Sequence, residues 1–181
     1  MIELISQQIK TADSILLSRQ QIKKRVMELG SQITRDYNKK NPVLICVLNG
    51  SFLFFADLVR EIKLDCEIDF LKISSYGNAH SSSGEVKVHK EPDCRLNGKD
   101  VLVIEDIIDS GLSVVYLRKW LSKQTPKSLK FISLLIKDEA ASVEYKCEYE
   151  GFHIPNEFVI GYGLDYAQRF RALPDIHSIK V

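Results

Sequence analysis

Three carboxylates stand within five positions, Glu105, Asp106 and Asp109, directly after the apolar run Val101-Leu102-Val103-Ile104 and directly before Ser110-Gly111-Leu112-Ser113. The apolar run reads as a buried central strand, and the segment after it as a loop that opens a helix. Ligands of open α/β sheets lie outside the carboxyl ends of strands, and free backbone N–H groups at a helix N-terminus favour a phosphate. Carboxylates repel phosphate. Glu105 and Asp106 therefore fit such a place only if they meet hydroxyl groups or a metal while the amides of Ser110 to Ser113 hold the anion. A phosphorylated sugar offers both kinds of partner. Capping of the helix by Asp109 or Ser110, stabilising by about 1 kcal/mol, would account for any one of these residues. It leaves three acids clustered behind a buried strand without a cause.

The elements that must position this segment are legible on both sides of it. Ser18-Arg19-Gln20-Gln21 fits a capping box, and Ile22, Val26, Leu29, Ile33 and Tyr37 come after it at three- and four-residue intervals, which predicts a helix ending before Asn41-Pro42. Val43 to Leu48 predicts a strand buried on both faces. A helix comes at once, with Phe52, Phe55, Ala56, Val59 and Ile62 expected on its inner face. Cys66 to Ile73 is a strand of mixed pattern that runs into the polar stretch Ser74 to Gly84, expected to be a mobile loop, and Val86 to His89 can pair back as a hairpin. Val101 to Ile104, a helix from about Leu112 to Ser122, the strand Phe131 to Ile136 and the shorter strand Phe158 to Ile160 complete an alternation of β and α. That alternation predicts an α/β fold, a mainly parallel sheet flanked by helices.

With 181 residues the chain needs no second domain, and 45% hydrophobic with 27% charged residues is the balance of an ordinary globular protein. Its 25 basic and 24 acidic residues leave a formal charge of +1, so no global field draws it to nucleic acid or to an anionic membrane, and any anion must be held locally. No stretch approaches the ~20 apolar residues of a membrane span. Cys46, Cys66, Cys94 and Cys147 are widely spaced, without any Cys-x-x-Cys, and read as reduced thiols of a cytoplasmic protein. His80, His89, His153 and His177 are scattered, which speaks against a zinc site.

The segment Glu105-Asp106-Ile107-Ile108-Asp109-Ser110-Gly111-Leu112-Ser113 resembles the phosphoribosyl pyrophosphate motif of type I phosphoribosyltransferases, in the form found in their hypoxanthine-guanine branch, with Ser110 where Thr is usual. The resemblance runs along most of the chain in matching order. Leu48-Asn49-Gly50-Ser51 occupies the place of the pyrophosphate loop, where a non-proline cis peptide is typical and where the family usually has Lys or Arg rather than Asn49. Ser75-Tyr76 and the polar stretch after it resemble the loop that closes over the active site. Lys137 ends a strand where the family places a Lys that hydrogen-bonds the purine 6-oxygen. Phe158-Val159 matches the pair that stacks on the base and reads its edge, and Gly161-Tyr162-Gly163-Leu164-Asp165-Tyr166 precedes Arg171, with Arg169 competing for the same role.

What the resemblance implies is a purine-salvage enzyme that displaces pyrophosphate from phosphoribosyl pyrophosphate with hypoxanthine or guanine, using magnesium. Asp109 would be the catalytic base. Glu105 and Asp106 would bind the ribose hydroxyls and, with Asp165, the metal. Ser110, Gly111, Leu112 and Ser113 would hold the 5-phosphate, Asn49, Gly50, Ser75, Tyr76 and Arg171 the pyrophosphate side, and Lys137, Phe158 and Val159 the base. The family fold implies one domain over residues 1–181, a core at about 40–140 and a small hood from 1–17 and about 141–181, assembled as a homodimer or homotetramer. Three alternatives stay open: a transferase for another base, an RNA-binding regulator of pyrimidine genes on the same fold, and a flavodoxin-like binding module. The last gives the acid cluster nothing to bind.

Overall fold

The computed structural model describes residues 2, 3, 5, 14–75 and 86–180. In chain order these form β1 (Ile15–Leu17), α1 (Arg19–Asp36), β2 (Val43–Leu48), α2 (Phe52–Glu61), β3 (Glu67–Ser75), β4 (Val86–Lys90), β5 (Asp100–Ile108), α3 (Leu112–Ser122), β6 (Ser128–Ile136), β7 (Tyr149–His153), β8 (Phe158–Ile160) and β9 (Ile176–Ile179). The capping box at the start of α1 is formed from both sides, Ser18 accepting from the Gln21 amide and the Gln21 side chain accepting from the Ser18 amide. The periodic residues Ile22, Val26, Leu29 and Ile33 are all buried.

Six strands form the main sheet in the order β4-β3-β2-β5-β6-β7. All neighbours are parallel except the β3–β4 hairpin. Side chains of α1 and α2 close over one face, where Leu44, Cys46, Leu102 and Ile104 meet Ile22, Val26, Phe54 and Leu58. On the other face Val43, Ile45, Val101 and Val103 meet Val114, Leu117 and Leu121 of α3. Burial on both faces is why β2 and the first half of β5 carry uninterrupted apolar runs. A second, three-stranded antiparallel sheet joins β1, β9 and β8, with Ile160 and Ile179 packed on Ile5. Among the described residues no helix is long and apolar enough to cross a membrane.

Four local expectations are corrected. The inner face of α2 carries Phe54, Phe55 and Leu58, while Phe52 and Ala56 are exposed. In the run Phe52-Leu53-Phe54-Phe55-Ala56 nearly every position is apolar, so periodicity alone left the stripe free to rotate. β5 does not stop at Ile104: ladder pairing with β6 continues to Ile108↔Ile136, which places Glu105 and Asp106 inside the strand. β8 belongs to the small sheet rather than to the central alternation. Finally β7, inside the 141–181 range assigned to the hood, adds to the edge of the main sheet, where Gly151 lets its backbone pass against the Leu134 carbonyl.

Candidate active site

From β2 the chain turns towards β3 on one side, and from β5 it runs on to β6 and β7 on the other. The strand order therefore reverses between β2 and β5, the topological switch point at which open α/β sheets bind ligands. The carboxyl ends of these two strands deliver Leu48-Asn49-Gly50 and Asp106 to Asp109 to the same cleft, of about 500 Å³. The Leu48–Asn49 peptide is cis, as is typical of the matching turn in the family that the sequence resembles. The turn is anchored from below by Ser51, which is buried and donates to the Val47 carbonyl.

The structure brings together most of the residues singled out in the sequence. Asn49, Gly50, Asp106, Asp109, Lys137, Phe158, Val159, Asp165 and Arg171 line this cleft. Arg171 does so and Arg169 does not; Arg169 lies exposed, its guanidinium 6.0 Å from the Phe170 ring centre. Ser110 to Ser113 form the loop and first turn of α3, next to Asp109 but outside the cleft lining. Gly111 is in the left-handed conformation at the N-cap and brings no side chain to the helix end; apart from a long 3.5 Å contact from the Leu112 amide to Ser110 Oγ, the first-turn amides keep their capacity to hold an anion. Ser75 ends β3, and Tyr76 together with the stretch to Gly84 lies outside the described residues. Lys72, Ser74, Leu164 and Gln168 also line the cleft, and sequence reasoning missed them. Their signal was positional only: Lys72 and Ser74 close a strand beside β2, and Gln168 stands three residues before Arg171.

Two ion pairs organise the site. The ammonium of Lys137, almost fully buried, lies 3.2 Å from Asp109 Oδ2, and the Asp109 side chain is 58% exposed to the cleft. On the opposite wall Arg171 is held by three acceptors, the Gly163 carbonyl at 2.8 Å, Asp165 Oδ1 at 2.7 Å and Gln168 Oε1 at 3.0 Å. Asp165 Oδ2 in turn accepts from the Gln168 amide at 2.8 Å. Phe158 is 42% exposed and meets Tyr166 edge-on, with ring centres 5.7 Å apart, so one of its faces is open to a planar ligand.

Glu105 does not line the cleft. It is buried, its Oε1 has no hydrogen-bond partner, and burial, with the Asp106 charge adding to it, pushes its carboxyl well above the ordinary range. A buried carboxylate oxygen without a donor is rare and asks for one from a ligand. Burial also pushes Asp106 up to about 6, against its own amide, the Ile107 amide and the Arg171 charge, which pull it down. Among the described residues no group of three or more side chains could cage a metal unaided. The donor set nevertheless suits magnesium, which takes one or two carboxylates and completes its shell with water and substrate phosphates. Asp106 and Asp165 are carboxylates of one cleft, and the desolvation that raises Asp106 is what a bound cation would offset.

The raised Asp106 makes the metal-free protein sensitive to pH. Its folded value, about 6, lies above the unfolded 3.8, so the group's stabilising contribution is full below pH ~4 and is lost as pH rises through 6. Asp106→Asn should remove the part of this dependence that Asp106 carries, leaving the part of the same sign that burial gives Glu105. In chelator, the variant's stability relative to wild type should rise between pH 4 and 7.5 by of the order of 2 kcal/mol, discounted for the partial exposure of the site. Urea denaturation at the two pH values measures it, and a pH-independent difference would show that Asp106 is not held in this way.

The family model described as phosphoribosyl transferase domain matches residues 13–167. A hypoxanthine-guanine phosphoribosyltransferase of Bacillus subtilis is 45% identical over 168 residues, 93% of each chain. A hypoxanthine phosphoribosyltransferase of Escherichia coli is 45% identical over 173 residues, 94% of this chain and 97% of that one. Among solved structures, a hypoxanthine-guanine phosphoribosyltransferase from Bacillus anthracis superposes with a TM-score of 0.88 at 48% identity, covering 92% of this chain and 98% of the other.

Proposed function

Since the chain belongs to the phosphoribosyl transferase domain family, we infer that it is a purine-salvage transferase, joining hypoxanthine or guanine to the phosphoribosyl group of phosphoribosyl pyrophosphate and releasing pyrophosphate. The observation that carries the choice of base is the Lys137–Asp109 pair, a donor and an acceptor 3.2 Å apart in the lining of the cleft. A 6-oxopurine presents the complement on adjacent atoms, a carbonyl oxygen for the Lys137 ammonium and the N7 proton for the Asp109 carboxylate. Phe158 would stack on the ring, and the Val159 backbone would read its far edge.

In the transfer, the bond between the anomeric carbon and pyrophosphate breaks, a bond to the purine ring nitrogen forms, and the N7 proton passes to Asp109. The amides of Ser110, Gly111, Leu112 and Ser113 hold the 5-phosphate, and Asp106 receives the ribose hydroxyls from the cleft wall, with the unpartnered Oε1 of the buried Glu105 as a further acceptor for them from beneath. Asn49 and Gly50 face the pyrophosphate through the turn after β2, with Arg171, and Ser75 and Tyr76 are further candidates for binding the same group. Asp106 and Asp165, with Glu105 behind, would hold magnesium, which when bound would neutralise charge on the pyrophosphate. The small sheet of β1, β9 and β8 serves as the hood over this cleft, with the core at residues of about 40–140. Exposed Phe52, Ile68 and Phe70, the last packed on Phe55 at 5.9 Å between ring centres, support assembly as a homodimer or homotetramer. We place the enzyme in the cytoplasm.

A spectrophotometric assay of hypoxanthine, guanine, xanthine and adenine with phosphoribosyl pyrophosphate and magnesium tests this. Adenine sets an exocyclic amine against the Lys137 ammonium, donor to donor, so its kcat/KM should lie at least about 100-fold below that of hypoxanthine. Comparable rates with adenine would remove Lys137 from its role. The absence of transfer to any purine would refute the activity.

A further inference from the structure

The lining of the cleft carries three cations, Lys72, Lys137 and Arg171, and three carboxylates, Asp106, Asp109 and Asp165. Two of the cations are committed, Lys137 to Asp109 and Arg171 to Asp165, Gln168 and the Gly163 carbonyl. Lys72 has no ion pair or hydrogen bond from its ammonium among the described residues, and it is exposed. It is the cleft-lining cation of the described residues that a ligand can engage without breaking a pair.

Its place in the sheet is specific. β3 pairs with β2 in the register Leu48↔Lys72, so Lys72 stands beside the last residue before the Asn49-Gly50-Ser51 turn, none of whose side chains carries a charge. The pairing of β3 with β4 shifts register between Lys72 and Ile73, an irregularity of the kind that re-aims side chains next to active sites. Lys90, its cross-strand partner, is not a competitor for the same ligand. Its ammonium is already taken by Asp93 at 2.9 Å, the Glu91 carbonyl at 2.9 Å and the Phe70 carbonyl at 3.2 Å.

We propose that Lys72 is a substrate-binding residue for the pyrophosphate group, supplying from β3 the positive charge that the turn after β2 does not carry. The proposal rests on the transferase activity inferred above. A lysine ammonium suits the task as a compact point charge on a flexible stem that can follow a group as it leaves. Because pyrophosphate carries its charge both in the substrate and as product, the interaction strengthens the binding of each. It leaves the purine and the 5-phosphate untouched.

Steady-state kinetics on Lys72→Ala and Lys72→Arg, alongside wild type, test it, with inorganic pyrophosphate and IMP as inhibitors. Lys72→Ala should raise the KM for phosphoribosyl pyrophosphate and the inhibition constant of pyrophosphate by about tenfold each, equivalent to about 1.4 kcal/mol. The KM for hypoxanthine and the inhibition constant of IMP should stay within about twofold. Lys72→Arg should keep the pyrophosphate constant within about threefold of wild type. An unchanged pyrophosphate constant in Lys72→Ala, an equal rise for IMP, or a loss in Lys72→Arg as large as in Lys72→Ala overturns the assignment. A wild-type protein that transfers no phosphoribosyl group would instead sink the activity on which the proposal stands, so the two failures are distinguishable.

Discussion

Replacing Asp109 by Asn is expected to lower kcat by about 100- to 10,000-fold while changing substrate affinities far less. The Asp109 carboxylate is exposed at the cleft, it is the acceptor half of the pair with Lys137, and Asn at that position keeps the shape and still accepts a hydrogen bond from the ammonium. What Asn cannot do is take up the N7 proton. The interaction lost is one that strengthens as the new C–N bond forms, so it appears in turnover rather than in binding. Kinetics at saturating magnesium separate the two, and an Asp109→Asn enzyme with near-normal kcat would remove Asp109 as the base while leaving the transferase activity intact. The same substitution also takes the counter-charge from Lys137, which is almost fully buried. The variant should therefore lose part of its preference for oxopurines over adenine, because a less restrained ammonium is a poorer gauge of what sits opposite it.

The fold was legible wherever a local signal and a burial signal agreed. The bounds Val43–Leu48 and Leu112–Ser122 come from an apolar run closed by Pro42 and Asn49-Gly50, and from a Ser-Gly pair opening a periodic stretch. Where the two signals diverged, the reading failed in ways that physics explains. β1, β7 and β9 are three to five residues long, and β7 reads Tyr-Glu-Gly-Phe-His, with a glycine at its centre and charge beside its aromatic residues. Such strands are fixed by the sheet edge that they complete, not by their own propensity. In β3 the apolar residues Ile68 and Phe70 are exposed while Asp69 is buried. Asp69 is tolerated there because its oxygens accept from the Phe70 and Cys94 amides, each at 2.7 Å, and Lys90 lies 3.5 Å away. No pattern of hydrophobicity announces a carboxylate satisfied by a backbone amide 25 residues away.

The candidate site divides in the same manner. Its acids and its phosphate turn sit in contiguous segments whose residue types are unusual after a strand, so the chemistry could be inferred from spacing. Lys72 lies far along the chain from Gln168 and Arg171, and only the three-dimensional structure shows that the arginine is clamped by three acceptors while the lysine has none among the described residues. Glu105 was expected beside Asp106 with the same partners. In a strand, however, successive side chains part company, and the continuation of β5 through Ile108 puts Asp106 on the cleft wall and Glu105 into the protein beneath it.

Gly50 and Gly163 set the spacing of that wall, and substituting each by Ala should separate function from stability. A Cβ on Gly50 would stand 1.6 Å from Asp106 Oδ2 and 2.6 Å from its Cγ, so the short Asp106 side chain must swing out of its place. The backbone need not move, because what yields is a side chain. Gly50→Ala is therefore expected to keep its melting temperature within a few degrees and to lose about 100-fold in kcat/KM, the scale on which a misplacement of about 1 Å at a reacting site is felt. A Cβ on Gly163 meets backbone instead, 2.0 Å from the Gly50 carbonyl oxygen, at a position whose φ of +102° only glycine adopts readily. Here nothing flexible can give way. Gly163→Ala should destabilise by about 2–4 kcal/mol and lower activity as a consequence, because the Gly163 carbonyl that orients Arg171 is displaced with it. Thermal denaturation and kinetics on both variants decide the matter. A Gly50→Ala enzyme of wild-type kcat/KM would show that the position of the Asp106 carboxylate does not limit the reaction, and would move the weight of the site to Asp109 and the first turn of α3.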